Sequence, residues 1–366
     1  MSIFCPHPSL LDAVLELAMA GDVIELGPEV YWTRGNWAAG PARAHINVPG
    51  GVRIIGQGMD RTVIRLSQDA VKEDGVNPGP RPDRDLHTLW CGDGAEILGV
   101  TVDCNEAAHR AFDTSPAWYC DGIRKHGNIR LHDVRVVHMR GTWRDETTIT
   151  KEIEAFALSG RGDVTRSSVL GCRVEDCADN AYVSGIMLGG GPEGFGRGLV
   201  ADCHVDLGRG NQFAFAANDS VTFRSCYGRG AKAGLYNDTG HAREIEVLDC
   251  HLVGEWAGIC LIAQDRQAQR SVVVRGGTTR APRLIEIIHR TGAGPDVDAL
   301  ISGTRFNGLY VAAVDNPAPC LVRIQDCVLP DDATVFHTRR SPTPITRANF
   351  RPDGSGHPNA LKILMQ

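Results

Sequence analysis

The sequence predicts an all-β fold, a single-stranded right-handed parallel β-helix in which the chain coils repeatedly and stacks short strands. Apolar or small residues recur at intervals of about 23 to 38 residues, a second apolar column stands three places earlier, and a bend lies between them. Periods of about 20 to 50 residues are typical of solenoids, in which no single repeat buries its own apolar face. The later column is Val100, Val134, Cys172, Cys203, Cys226, Cys250, Gly277, Thr304 and Cys327, the earlier column is Ile97, Leu131, Val169, Val200, Phe223, Val247, Val274, Ile301 and Ile324, and the bends are Gly99, Asp133, Gly171, Asp202, Ser225, Asp249, Gly276, Gly303 and Asp326.

One complete repeat is visible in residues 243–261. It contains two apolar-alternating runs separated by a two-residue bend, then a small-residue turn and a third run. Such alternation is typical of half-buried strands, so each repeat should contribute three short strands. The runs are Ile245 with Val247, Cys250 with Leu252, and Ile259 with Leu261.

We expect one elongated domain, because repeat arrays grow without splitting. It spans residues 1–340, and residues 8–19 form an amphipathic helix that caps the apolar end of the first coil. Residues 341–366 no longer follow the repeat and should form a C-terminal tail that packs on the last coils.

The composition limits the partners. A net charge of −6 and a pI near 6.1 argue against a nucleic-acid partner, and no apolar run is long enough for a membrane span. The first 22 residues lack the features of a signal peptide, so we expect cytoplasmic synthesis, with release by lysis, a leaderless route or a phage particle left open. At least five of the 12 cysteines share the inward column, which favours core thiols over disulfides.

The opening coils carry a more specific signature. It consists of a Gly-Asp strand start at 21–22, a Gly-Pro turn at 27–28, Tyr31, and the motif I-x-G-x-G ending at Gly58, followed by Thr62 and a strand. This pattern resembles the pectate-lyase-like (pectin lyase fold) parallel β-helix superfamily. The resemblance implies the fold, whereas activities on such a scaffold vary widely.

The outward neighbours of the cysteine column form the leading candidate site. Strand residues alternate in direction, and neighbouring coils lie about 4.8 Å apart, so acids, cations and a base should approach one another on the side of the helix. Paired charges on a solvated strand face are the ordinary alternative interpretation. The candidate catalytic residues are Arg173, His204, Tyr227, Glu175 and Asp206, flanked by Arg135 and His251 as substrate-binding candidates.

Two further sets lie at the third strands. Tyr236 and Asp238 belong to the segment YNDTGH, with Asp238 a catalytic candidate and Tyr236 a substrate-binding one. The polygalacturonase motifs are not reproduced there in spacing or order, so no roles are transferred. Asp121, Arg124 and Asp179 lie in charged segments at strand entries and are further substrate-binding candidates, although charged residues of this kind are usually only solvated.

These residues suit two chemistries. A uronate lyase needs a base for the proton α to a carboxylate, with cations or Ca²⁺ stabilising the enolate-like state. A glycoside hydrolase needs two carboxylates at a defined separation, and Glu175 and Asp206 are candidates. We therefore expect an enzyme that cleaves a polysaccharide or oligosaccharide in a groove on the side of the helix, without a metal ligand set or a required cofactor in the motifs. The alternatives are a phage tail-spike-type glycan-binding or depolymerising protein, usually trimeric, a cytosolic isomerase, epimerase or cyclase acting on a small molecule, and a purely adhesive β-helix.

The outward column of the third strands is unusually apolar for a solvent face. Loops or a partner subunit in a homo-oligomer are expected to cover it, since exposed apolar stripes mark covered surfaces. Its members are Ala157, Met187, Ala214, Ala216, Tyr236, Cys260, Ile288 and Ala312.

Overall fold

The computed structural model describes most of the chain, and the following concerns those residues alone. They are residues 1–39, 47–67, 84–105, 120–125, 127–139, 153–158, 167–177, 183–189, 197–217, 220–237, 244–263, 270–289, 297–315, 320–340 and 345–346.

The described residues form stacked coils with three strand positions each, which we call the first, second and third faces. Hydrogen bonds join the first and second faces into one 21-stranded sheet, and the third face is an 11-stranded sheet. All pairings in the first sheet are parallel and link one coil to the next, as between Glu244–Leu248 and Ser271–Arg275 and between His251–Val253 and Thr278–Arg280. The first-face strands are β1 (Ser2–Phe4), β2 (Val23–Glu25), β5 (Arg53–Ile55), β12 (Ser168–Leu170), β15 (Arg197–Ala201), β18 (Ser220–Arg224), β21 (Glu244–Leu248), β24 (Arg270–Arg275), β27 (Val297–Ser302), β30 (Cys320–Gln325) and β32 (Ile345–Thr346).

Two long strands turn the corner from the first face to the second and belong to both. These are β8 (Ala95–Asp103) and β10 (Ile129–Val137). The second-face strands are β3 (Val30–Thr33), β6 (Val63–Leu66), β13 (Arg173–Val174), β16 (His204–Asp206), β19 (Tyr227–Gly230), β22 (His251–Gly254), β25 (Thr278–Arg280) and β28 (Arg305–Asn307).

The third face begins with an antiparallel pair, β4 with β7, and continues in parallel. Its strands are β4 (Asn36–Ala39), β7 (Arg84–Cys91), β9 (Cys120–Lys125), β11 (Ile153–Leu158), β14 (Val183–Leu188), β17 (Phe213–Ala217), β20 (Ala233–Asn237), β23 (Ala257–Ala263), β26 (Arg283–His289), β29 (Tyr310–Asp315) and β31 (Thr334–Arg340).

The corner between the first and second faces explains the predicted bend column. A residue of each coil adopts a left-handed conformation there, with φ of 52° at Asp249, and the next coil has two such residues, Gly276 at 66° and Gly277 at 70°. Glycine, aspartate and serine fill the bend positions because this region of backbone space disfavours most side chains. The bend column is therefore a row of corners made by left-handed residues.

The cysteine column lies inside those corners, as predicted. Cys203, Cys226 and Cys250 are buried, and every cysteine for which the structure describes a side chain is a free thiol. Each of these thiols donates a weak hydrogen bond to the carbonyl two residues earlier, for example from Cys226 Sγ to Arg224 O at 3.2 Å. Thr304, in the same column, donates to Ser302 O at 3.3 Å. At the cysteine and threonine positions of the column, a small side chain therefore donates to a corner carbonyl.

The third strands depart from strict alternation, and four assignments that alternation predicts were wrong. Alternation places Phe213 and Leu309 inward, but the inward residues are Phe215 and Ala312, which stand in register with Leu235 and Ile285. Leu309 is 54% exposed. Ala214 and Ala312, expected to point outward, belong to the core because two consecutive residues of these strands face inward.

The N-terminal helix is shorter than predicted. A 3₁₀ turn at Pro8–Leu10 leads into α1 (Leu11–Leu17), whose Leu11 and Leu15 join the main core. The helix ends early because the Met19 N–H donates to the Asp22 carboxylate at 2.9 Å, which fixes a turn. At the other end, Ile345 and Thr346 pair with β30.

Candidate functional site

The second face places the predicted candidates on consecutive coils. Arg135, Arg173, His204, Tyr227 and His251 stand in register, each one strand from the next. Their neighbours along the strands, such as Val174 and Val205, are buried. We call the outward row formed by these five residues the lateral strip.

At the centre of the lateral strip, two rings stack across neighbouring coils. The ring centroids of His204 and Tyr227 lie 4.6 Å apart with an interplanar angle of 15°. On the next coil, His251 Nδ1 lies 2.7 Å from Thr278 Oγ1. Arg173, exposed on the coil before His204, makes no ion pair among the described residues. The guanidinium of Arg173 is therefore an available cation beside the stacked imidazole and phenol.

Both predicted acids are held by arginines. Arg135 Nη1 lies 3.3 Å from Glu175 and 3.0 Å from Asp60. Arg229 approaches Asp206 Oδ1 with Nε at 2.7 Å and Nη2 at 2.6 Å. Such partly exposed pairs each contribute about 0–1 kcal/mol to stability. Glu175 and Asp206 are thus committed to cross-coil pairing.

The remaining candidates do not join the lateral strip. Arg124 and Tyr236 lie on the outer side of the third face, where the Arg124 guanidinium carbon is 5.6 Å from the centroid of the Trp90 ring and Tyr236 stacks on Phe213 at 3.9 Å. Asp121 is described only as a strand position of β9, in register with His87. Asp179 and Asp238 lie outside the described residues.

Several residues of the apolar stripe of the third face are buried within the chain. Met187, Ala216 and Cys260 are at most 9% exposed and form two small clusters outside the main core. Tyr236 and Ile288 pack against these clusters and are only partly buried.

Sequence reasoning missed a buried carboxylate at one end of the second face. The side chain of Asp103 is 3% exposed and lies 2.9 Å from His138 Nδ1 and 2.7 Å from Arg65 Nε. His138 has a φ of 57°, a conformation that costs energy outside glycine. The outward column of the sequence contained Asp103, but His138 sits one place out of register, so alternation could not identify the pair.

A groove adjoins the lateral strip at Tyr227. Its volume is about 570 Å³, and its wall comes from five consecutive coils, at the ends of β16, β19, β22, β25 and β28. It is lined by Gly208, Arg209, Tyr227, Arg229, Gly230, Ala231, Val253, Gly254, Glu255, Arg280, Ala281, Pro282, Asn307 and Gly308.

Among the described residues, no group of three or more His, Cys, Asp or Glu side chains is placed to hold a metal ion. In the same part of the chain, no helix combines the length and apolar character needed to cross a membrane.

The three-faced stack of coils defines the class of the protein: a single-stranded right-handed parallel β-helix with the pectin lyase-like fold. No protein-family model matches the sequence, and the comparison with curated proteins finds no match.

Solved structures resemble the chain at low sequence identity. The A-module of the mannuronan C-5 epimerase AlgE6 from Azotobacter vinelandii is 12% identical, with a TM-score of 0.44 over 90% of this chain and 93% of its own. A family 28 exopolygalacturonase from Yersinia enterocolitica is 8% identical, with a TM-score of 0.48 over 92% and 73%. PfbA, a surface adhesin of Streptococcus pneumoniae, is 10% identical, with a TM-score of 0.37 over 94% and 88%. Two of these are carbohydrate-active enzymes and one is an adhesin.

Proposed function

We propose that this protein is a carbohydrate-active enzyme that cleaves an acidic polysaccharide by β-elimination at the lateral strip. The observation that supports it is the column Arg173, His204 and Tyr227 on three consecutive coils, with the two rings stacked at 4.6 Å. A cation, a base and a proton donor within about two coil spacings are the groups that elimination next to a carboxylate requires.

Each residue has a role in this reaction. The guanidinium of Arg173 pairs with the uronate carboxylate and stabilises the charge that moves onto it. The neutral imidazole of His204 removes the proton from the adjacent carbon. As the carbon–carbon double bond forms, the bond to the leaving glycosidic oxygen breaks, and the phenol of Tyr227 donates a proton to that oxygen. Atoms and charge balance with no other reactant.

Hydrolysis is supported less well by the same face. A glycosidase needs one protonated carboxylic acid and one carboxylate across the scissile bond. Glu175 and Asp206 are the anionic partners of Arg135 and Arg229, so each already has a stabilising role.

The test uses the full chain with a panel of uronate-containing and neutral polysaccharides. New ultraviolet absorbance from unsaturated uronate, together with new reducing ends on the uronate polymers alone, is the expected result. His204→Gln and Tyr227→Phe should each reduce the rate by about 10²–10⁴-fold. His132→Gln is the matched control, because His132 is an exposed histidine on the first-face part of β10.

Three other results would contradict the proposed elimination at the lateral strip. Reducing ends without absorbance would replace elimination by hydrolysis. Exchange of a substrate proton for solvent deuterium without chain cleavage would indicate an epimerase that uses the same proton abstraction. Activity that survives in both variants would exclude the lateral strip as the active site.

A further inference from the structure

The groove beside the lateral strip has a basic lining on an acidic protein. Arg209, Arg229 and Arg280 line it against a single acid, Glu255, while the whole chain carries a net charge of −6. A local excess of cations in a concave surface attracts anions more strongly than the same charges on a convex one. The groove therefore favours an anionic occupant.

Arg229 and Arg280 differ in their contacts. Arg229 is tied to Asp206 by two contacts shorter than 3 Å. Arg280 is exposed and makes no ion pair among the described residues. Asn307, directly in register with Arg280 on the next coil, adds an amide. Arg280 and Asn307 thus present uncommitted hydrogen-bond donors one coil apart.

The groove is shaped by glycines whose presence has a packing explanation. A Cβ at Gly254 would lie 2.1 Å from Ala257 O, and one at Gly308 would lie 1.8 Å from Ala281 O. The chain needs these glycines to turn from the second face to the third. No such packing requirement accounts for an arginine at 280, since the side chain is exposed.

The groove is continuous with the proposed active site. Tyr227 belongs to both, and the lining extends over the coils of β16, β19, β22, β25 and β28. Four coil spacings of about 4.8 Å make this a distance of roughly 19 Å, long enough for more than one sugar unit. Trp256, 37% exposed beside Glu255, adds an aromatic ring at the same corner, with the guanidinium carbon of Arg283 5.8 Å from its centroid.

We infer that this groove is a subsite for the non-reacting part of an acidic polysaccharide, with a uronate carboxylate bound by Arg280 beside the Asn307 amide. The inference rests on the proposed function and specifies its substrate class: a polymer with several consecutive uronate units. A guanidinium suits this ligand because its planar fork pairs with a carboxylate through two hydrogen bonds. The subsite holds the chain so that a unit further along it lies beside Arg173 and His204.

Binding of a defined oligouronate, a galacturonate hexamer, to the full-length His204→Gln protein tests the inference by calorimetry without turnover. We expect Arg280→Gln in this background to weaken the affinity about tenfold and to reduce the salt dependence of binding. Arg275→Gln is the matched control, because Arg275 is an exposed arginine of the same coil on the first face. It should leave the affinity unchanged.

Several results would overturn the subsite. They are equal binding of a neutral hexasaccharide, equal weakening by Arg275→Gln, and no change with Arg280→Gln. Inorganic phosphate that binds as tightly as the hexamer would show a site for small free anions instead of a glycan. Hexamer binding that depends on Arg280, with no turnover by the unaltered protein, would retain the subsite and reject the proposed activity. Turnover by the unaltered protein with a KM for long uronate polymers that Arg280→Gln leaves unchanged would reject the subsite and retain the proposed activity.

Discussion

His138 Nδ1 and Asp103 Oδ1 lie 2.9 Å apart across two neighbouring coils. Burial acts to raise the pKa of Asp103, but hydrogen bonds from His138, from the Asn105 N–H and from Arg65 outweigh it and bring the pKa below its ordinary value. Asp103 is therefore ionised at neutral pH. An ionised partner favours the His138 tautomer with its proton on Nδ1, and it accounts for a histidine at a left-handed position.

The first prediction concerns acid stability. Because the folded-state pKa of Asp103 is lowered, its carboxylate stabilises the fold above the unfolded-state pKa of about 3.9, and that contribution is lost as the pH falls through the folded value. We expect Asp103→Asn to lower the free energy of unfolding by about 2 kcal/mol at pH 7, with Arg65 and His138 partly solvated. Urea unfolding at pH 7 measures the stability that Asp103→Asn loses, and urea unfolding at pH 3 measures how much of that difference remains in acid.

The control for this experiment is Asp298→Asn. Asp298 accepts from Arg323 at 2.6 Å but its side chain is 29% exposed, so its loss should cost less than about 1 kcal/mol. Equal losses of stability in the two variants at pH 7 would contradict the stabilising role of the Asp103 carboxylate. So would a difference in free energy of unfolding between Asp103→Asn and the unaltered protein that is as large at pH 3 as at pH 7.

A second prediction concerns alkaline pH and the thiol column. The hydrogen bond with the Cys203 thiol is the largest cause that raises the pKa of Cys226, the Cys250 thiol opposes it, and burial adds to the rise, which reaches about 12. An unfolded thiol titrates near 8.5. Above that pH the unfolded state loses a proton that the folded state retains, so stability should fall as the pH rises towards 12.

The variant Cys226→Ser tests this directly. Its hydroxyl should still donate to the Arg224 carbonyl, as the Thr304 hydroxyl donates to Ser302 in its own corner, but it does not titrate in this range. Urea unfolding at pH 8 and pH 10 should therefore show a smaller loss in the variant. Identical losses would mean that Cys226 does not couple folding to pH.

The fold could be predicted from the sequence because every coil has the same local requirements. Each corner needs a left-handed residue and a small inward neighbour, so a pair such as Asp249 and Cys250 identifies its coil in the sequence. Phe213 and Ala214 were misassigned because two consecutive inward residues break the alternation on which the assignment depended. The pair of Asp103 and His138 could not be predicted for a related reason. The two residues are offset by one position between their coils, and this offset depends on the left-handed turn at His138, which no residue pattern in the sequence indicates.

The corners themselves give a third prediction. Asp249 is exposed with a φ of 52°, so Asp249→Gly should change the free energy of unfolding by less than about 1 kcal/mol. Asp249→Val should destabilise the protein by about 1–2 kcal/mol, because a β-branched side chain disfavours the left-handed region. Urea titrations of both variants measure the difference. Equal effects would show that conformation does not select the residue at this corner.

The fourth prediction separates the reacting centre from the groove. Arg173 is proposed to bind the carboxylate most strongly as charge develops on it, so Arg173→Lys should lower kcat and kcat/KM by similar factors, about tenfold or more. Arg280, which is proposed to hold non-reacting units, should behave differently: Arg280→Gln should raise KM for long polymers with little change in kcat. Steady-state rates on long and short uronate chains provide the comparison. A rise in KM alone for Arg173→Lys would show that Arg173 only binds the substrate. The proposed elimination would then lack the cation that stabilises the developing charge.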